Sequence, residues 1–190
     1  GSYAELPAVM EELQISSVDR VLLDLGLSSD QLSDDERGFG FESAGELDLR
    51  FDTRQGVPAW QLLESLPESE LCEILEVYGE ERFSQRIANQ IVKQRKTAPV
   101  RTAADLIKAV QQAIPGKALA AARKNPATRV FQALRIAANQ ELEQLETMLE
   151  TVLPQVLQPG GKAVIISFHS LEDRMVKQAF KNQTIWKNLP

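Results

Sequence analysis

With 190 residues, 43% of them apolar and 25% charged, the chain has material for one well-buried core plus a small appended module, which excludes disorder as its main state. No apolar run approaches the roughly 18 residues of a membrane span and no charged-then-apolar leader opens the chain, while a single cysteine, Cys72, and a single histidine, His169, exclude an internal disulfide and a zinc site of the Cys/His kind; a cytoplasmic protein without a bound metal is the expectation. The net charge of −6 conceals three unlike segments, −14 over residues 1–79, +9 over 80–135 and −1 over 136–190, an asymmetry that points to a polyanionic partner at one place, against the plainer reading of a solvated helix face.

Taken in chain order, a helix over Leu6–Leu13 precedes Val18–Leu25, VDRVLLDL, a β-branched and leucine run that predicts a buried parallel strand with its carboxyl end at Asp24. Cys72 lies in an apolar helical pattern and reads as core. The spacing predicts an amphipathic helix over Glu80–Lys96, with Phe83, Ile87 and Ile91 on one face and Arg82, Arg86 and Lys93 on another. Thr102 to Asp105 has the form of a capping box for a helix carrying Leu106, Ile107, Val110 and Ile114, stopped by Pro115-Gly116. Asn125 as N-cap, with Pro126 in the first turn, opens a long helix through Val130, Phe131, Leu134, Leu142, Leu145 and Leu149. Pro159-Gly160-Gly161 then turns into a second buried strand, residues 162–168, and Ser170–Asp173 starts a last helix with Met175, Val176 and Phe180 inward. Strand, long helical excursion and strand again is the pattern of an open α/β sheet interrupted by an insert.

In such sheets ligands sit outside the carboxyl ends of the strands, so Asp24, the loop Gly26–Gln31 and the trio Ser167, Phe168 and His169 face the expected crevice. Asp24 suits an ammonium or amino partner, and equally a cap on the following turn. His169 is the one side chain that ordinarily titrates near neutrality; its plainer reading is a polar residue fixing the helix start at Ser170. Ser28, Ser29 and Ser167 have no evident base, which argues against a hydrolase triad. Arg37, Arg50 and Arg54 alternate with Phe39, Phe41 and Phe51 in a glycine-containing loop, a mixture that suits base stacking and phosphate contact, or a loop pinned to the surface by its aromatics.

Five stretches resemble one family: LLDLGLSSDQL with ERGFGF (22–32 and 36–41), LDLRFD (47–52), YGEERFSQRIANQIV (78–92), NPATRVFQALRIAANQELEQLE (125–146) and PGGKAVIISFHSLEDRMVK (159–177). In order and spacing they are similar to the bacterial small-subunit ribosomal RNA cytosine-N4 methyltransferases, the RsmH or MraW family. The resemblance implies an α/β fold, a Rossmann-like S-adenosylmethionine-dependent methyltransferase core (1–35 and 126–190) with an inserted α-helical RNA-recognition domain (36–125). It implies Tyr3, Asp24 and Gln31 as cofactor contacts for S-adenosyl-L-methionine. It also implies 16S ribosomal RNA of the small subunit as the partner, held by the 36–125 insert. The residues read as RNA-binding candidates are the loop arginines Arg37 and Arg50, the cations Arg82, Arg86 and Lys93, and Arg129. Asn125 stands where the family usually has His, which keeps the helix cap and removes a histidine. The family's glycine-rich cofactor loop and its carboxyl-terminal segment have no counterpart in these residues, so the expectation is a fragment that is by itself inactive.

The expected reaction is methyl transfer to the exocyclic N4 amine of a cytidine. That amine is a poor nucleophile because its lone pair is delocalised into the ring, so acceptors must hold its N–H groups out of conjugation. Asp24 is the candidate catalytic acceptor, helped by Ser28 and Ser29. Covalent ring attack needs an activated cysteine, and the Glu70-Leu71-Cys72-Glu73 setting offers no cation to lower the thiol pKa. The competing expectations are a non-catalytic RNA-binding or ribosome-assembly module, and a methyltransferase acting on a protein or small molecule.

Overall fold

The computed structural model describes residues 2–182, which divide into two compact units, 2–27 with 140–182 and 28–139. The divisions fall at 27/28 and 139/140, where the sequence suggests 35/36 and 125/126. The later boundary moves because the helix after Asn125 packs with the helices that precede it.

The first unit opens with a 3-10 turn, Tyr3–Glu5, capped by the Ser2 hydroxyl, and continues into α1, Leu6–Glu12. Strand β1, Val18–Asp24, follows the expected limits.

The second unit begins with α2, Ser29–Ser33, and then a long loop whose glycines have steric reasons. Gly38 sits at φ +72°, and a Cβ there would stand 2.7 Å from the Glu46 carbonyl oxygen. Helices α3 (Ala59–Ser65), α4 (Glu68–Val77), α5 (Ser84–Gln94), α6 (Ala103–Ala113), α7 (Gly116–Ala120) and α8 (Thr128–Asn139) complete it. Their apolar faces bury Leu63, Leu71, Leu75, Ile87, Ile91, Leu106, Val110, Leu134 and Ile136, with α4 packed on α5 and α8, and α5 on α6. Thr102 and Asp105 form the anticipated reciprocal cap: the Thr102 hydroxyl accepts from the Asp105 amide at 3.2 Å, and the Asp105 carboxylate accepts from the Thr102 amide at 3.1 Å. Cys72 is half-buried in α4, with its sulfur 3.6 Å from the Ser84 hydroxyl.

Back in the first unit, the helix expected to run unbroken from Asn125 to Leu149 is interrupted. Gln140 takes the left-handed conformation at φ 51°, so α8 ends at Asn139 and α9, Glu141–Thr147, starts anew. A π-helical turn, Met148–Val152, leads into α10, Leu153–Val156, where Pro154 has no N–H to offer the carbonyl four residues back. Strand β2, Leu157–Ile166, pairs in parallel with β1, with Asp24 opposite Ile166. Pro159-Gly160-Gly161 lies within that pairing: Val18 is opposite Leu157 and Arg20 opposite Lys162, so the glycines form an irregularity inside the strand instead of a turn before it. Helix α11, Ser170–Lys181, closes the described chain.

The sequence reading of two fully buried strands needs correction. One face of the pair, including Val21, Leu23, Ala163 and Ile165, packs on a core of Met10, Leu145, Met148, Leu149, Val152 and Leu153. The other leaves Leu22, Val164 and Ile166 exposed. Among the described residues, helices pack on one face only, so alternation with period 2 separates buried from exposed side chains. No helix among the described residues is long and apolar enough to cross a membrane.

The α6 cap has a pH signature. Burial pushes the Asp105 carboxyl up, but hydrogen bonds from Thr102 and the Arg101 amide outweigh it and hold the group below its ordinary value of 3.8. The stabilisation is therefore complete above pH 3.8 and is lost as pH falls through the lower folded-state pKa. Asp105→Ala is expected to lower unfolding free energy by about 1 kcal/mol at neutral pH, and chemical denaturation across a pH series is expected to show that gap shrinking below pH 3.8; a gap that persists unchanged contradicts the assignment.

Candidate active site

The parallel pairing brings the carboxyl ends of β1 and β2 side by side. Asp24, the last residue of β1, points to the same face as Leu22 and is exposed; among the described residues no hydrogen bond or ion pair engages its carboxylate. The chain leaves β1 through Gly26 at φ +92°, and a Cβ at Gly26 would meet the Phe168 ring at 3.2 Å. Glycine is needed there both for the dihedral and for the approach of the ring. Phe168, two residues past the end of β2, is 67% exposed. A carboxylate with open acceptor sites and an exposed aromatic face at the ends of parallel strands suits a ligand that carries hydrogen-bond donors and a flat ring.

Tyr3 is partly buried, and its hydroxyl donates to the Glu141 carbonyl at 3.4 Å. Burial, and after it the carboxylates of Glu141 and Glu172, push the Tyr3 phenol well above its ordinary range, so it is a neutral hydrogen-bonding group at all physiological pH.

His169 is the N-cap of α11. Its Nδ1 accepts from the Glu172 amide at 3.4 Å, and the Glu172 Oε2 accepts from the amides of Phe168 at 2.9 Å and His169 at 3.3 Å. The plainer reading of His169, a residue fixing the helix start, matches this geometry; its Nδ1 is committed to the cap. Burial raises the Glu172 carboxyl, and the adjacent His169 ring, with the backbone amides of Phe168 and His169, more than offsets that, leaving it below its ordinary range. Sequence reasoning missed Glu172 and Glu141. An H-x-x-E signal was present for the former, whereas Glu141 joins the group only through tertiary packing.

In the second unit, Gln31 accepts from the Ser28 amide at 3.0 Å through its side-chain oxygen, completing a capping box for α2. Two arginines expected to meet RNA are spent on their own loop. Arg37 donates to the carbonyls of Arg50 and Phe51 and lies 5.4 Å from the Phe39 ring centroid. Arg50 forms a two-pronged ion pair with Asp48, at 2.6 and 2.8 Å, and donates to the carbonyls of Gln55 and Gly56. Asn139 pins the same loop, accepting from the Phe51 amide at 2.6 Å and donating to the Leu49 carbonyl at 2.7 Å. Phe39 stacks on Phe51 and Phe41 meets Phe131 edge-on, so the pinned-loop alternative describes this segment.

The other cations differ. Arg86 and Lys93 lie on the exposed face of α5, and no hydrogen bond or ion pair engages them among the described residues. Arg82 precedes the helix instead of lying on it, its guanidinium 4.4 Å from the Phe83 ring centroid. Arg129 donates to the Glu80 carbonyl at 2.9 Å while remaining exposed.

A family model described as the MraW methylase family matches residues 1–190. Proteins named ribosomal RNA small subunit methyltransferase H from Desulforapulum autotrophicum, Pelobacter propionicus and Nitrosospira multiformis are 49%, 46% and 47% identical to the chain, over 95%, 100% and 100% of its length. The matches cover 57%, 61% and 59% of those proteins, so the chain spans about three fifths of the length of these relatives. With a match along its whole length, the chain belongs to the MraW methylase family.

Proposed function

We propose that this chain serves a cytoplasmic enzyme that transfers a methyl group from S-adenosylmethionine to the exocyclic N4 amine of a cytidine in 16S ribosomal RNA. The observation that carries the reading is the match of all 190 residues to the methylase family, with relatives of 46–49% identity whose names specify small-subunit ribosomal RNA. In this reading the first unit belongs to a Rossmann-like methyltransferase core and the second is an inserted helical domain that holds RNA.

Tyr3, Asp24 and Gln31 are the proposed cofactor contacts. The open Asp24 carboxylate beside the exposed Phe168 ring fits a cofactor that is both cationic and aromatic. When bound, the cofactor supplies an electrophilic methyl group on a sulfonium. The protein's task is to make the cytosine amine a nucleophile and to hold it in line. Asp24 is the proposed catalytic acceptor: drawing an amine N–H toward its carboxylate localises the nitrogen lone pair out of the ring system. The reaction needs no cysteine nucleophile, in keeping with the half-buried Cys72 of α4. The target base leaves its stack to react, which favours a single-stranded or flipped cytidine.

RNA is held by Arg82, Arg86, Lys93 and Arg129, whereas Arg37 and Arg50 act by keeping the aromatic loop in shape. Cations with free donors reach phosphates without first breaking an internal ion pair.

Two experiments on the full-length protein test this. Asp24→Asn is expected to lower both S-adenosylmethionine affinity and transfer rate at least about tenfold, a loss of ~1.4 kcal/mol or more; unchanged transfer and affinity contradict the assignment. Native protein that binds RNA yet fails to bind S-adenosylmethionine favours the non-catalytic RNA-binding or assembly module instead. For the RNA face, substituting Arg86 or Lys93 by Ala is expected to weaken RNA binding and to reduce the slope of log affinity against log salt by about 0.7–0.9 per residue. A salt-insensitive interaction points to a substrate other than RNA.

A further inference from the structure

Three buried polar side chains of the first unit have no part in the proposed methyl transfer and lie together. Glu141 stands in the first turn of α9, His169 caps α11, and Glu172 follows three residues later. One ligating atom from each, a ring nitrogen and two carboxylate oxygens, lies within 4.8 Å of the others. All three are withdrawn from water: Glu141 is 8% exposed, Glu172 is 3% exposed, and the His169 side chain is 9% exposed. Two carboxylates this close in a dry setting repel each other, and a cation held between them lowers that cost.

The second observation is the histidine itself. Its Nε2 is buried and makes no hydrogen bond, although it stands 3.2 Å from Glu172 Oε1. A buried ring nitrogen without a hydrogen-bond partner, aimed at two carboxylates, is a place for a ligand. The cluster is also primed from outside. The amides of Phe168 and His169 hold Glu172 Oε2, which leaves Oε1 directed at the ring.

We propose that Glu141, His169 and Glu172 bind one divalent ion of the zinc or manganese class. One imidazole nitrogen with two carboxylate oxygens is a donor set for those ions, whereas calcium and magnesium take oxygen ligands alone. Bonds of about 2.0–2.2 Å put neighbouring ligand atoms roughly 3–4 Å apart, so a side-chain movement of under about 1 Å closes the set. A doubly charged ion balances the two carboxylates. Coordination through Nε2 moves the ring proton to Nδ1, with no net change in protons on the imidazole, and gives up the 3.4 Å contact from the Glu172 amide. The ion ties the start of α9 to the start of α11, a structural task that stands independently of the methyl-transfer reading. It also revises the expectation of a metal-free protein, which considered Cys/His sites only.

The test is calorimetric titration of full-length, chelator-treated protein with ZnCl2 alone and MnCl2 alone, paired with thermal unfolding. The expected result is one ion of at least one kind per chain and a raised melting temperature. Glu141→Gln and His169→Ala are each expected to weaken that binding at least about 100-fold and to abolish the thermal shift, while Asp173→Asn, an exposed carboxylate of the same helix, binds as the native protein does. Glu141→Gln preserves shape and carries the test where His169→Ala fails to fold. No binding of either ion at millimolar concentration, or native-like binding by Glu141→Gln, overturns the proposal.

Discussion

The parallel pairing of β1 with β2 is the constraint on which the first unit depends. Its two strands are contributed by residues 18–24 and 157–166, so closing the pair requires ordering against a long intervening chain. Apolar burial on one face, against the helices from Leu145 to Val156, offsets that cost. The register then decides the chemistry. A slip of one residue would turn Asp24 toward the core and Leu23 toward solvent, because side chains alternate across the sheet. As paired, the open carboxylate and the exposed Phe168 ring both emerge at the carboxyl end.

Within the second unit, charge is used in two distinct ways. Arg37 and Arg50 are internal fasteners, donating to backbone carbonyls and to Asp48 around a loop that also needs glycine at position 38 and accepts Leu49 at φ 58°. Such a conformation is costly for leucine and persists because the Arg37 carbonyl and Asn139 hold its backbone on both sides. Arg86 and Lys93 keep their charge in solvent on α5, opposite the buried Ile87 and Ile91. Net charge alone draws no line between these roles; hydrogen-bond partners do.

Much of this was legible in the sequence because it is local. The limits of β1, the Thr102–Asp105 cap and the start of α11 depend on residues within one turn or strand. The single helix expected from Asn125 to Leu149 failed for the opposite reason. Its apolar spacing continues past Gln140, and periodicity does not register one residue in the left-handed region. Likewise, Pro159-Gly160-Gly161 looks like a turn until its neighbour strand is known. The basic loop read as an RNA contact for composition, but Asp48 lies two residues from Arg50 and captures it. The Glu141, His169 and Glu172 cluster could not be seen at all, since it assembles two helix starts that only the fold brings together.

The proposed methylation of small-subunit ribosomal RNA at a cytidine amine can be checked by mass spectrometry of that RNA. Nucleosides from cells with and without the intact gene would be compared, with the gene restored on a plasmid as the third sample. A methyl group on cytidine N4 in 16S RNA is expected to disappear with the gene and return with it. An unchanged N4-methylcytidine content, or loss of a methyl group from a carbon or ribose position instead, would contradict it.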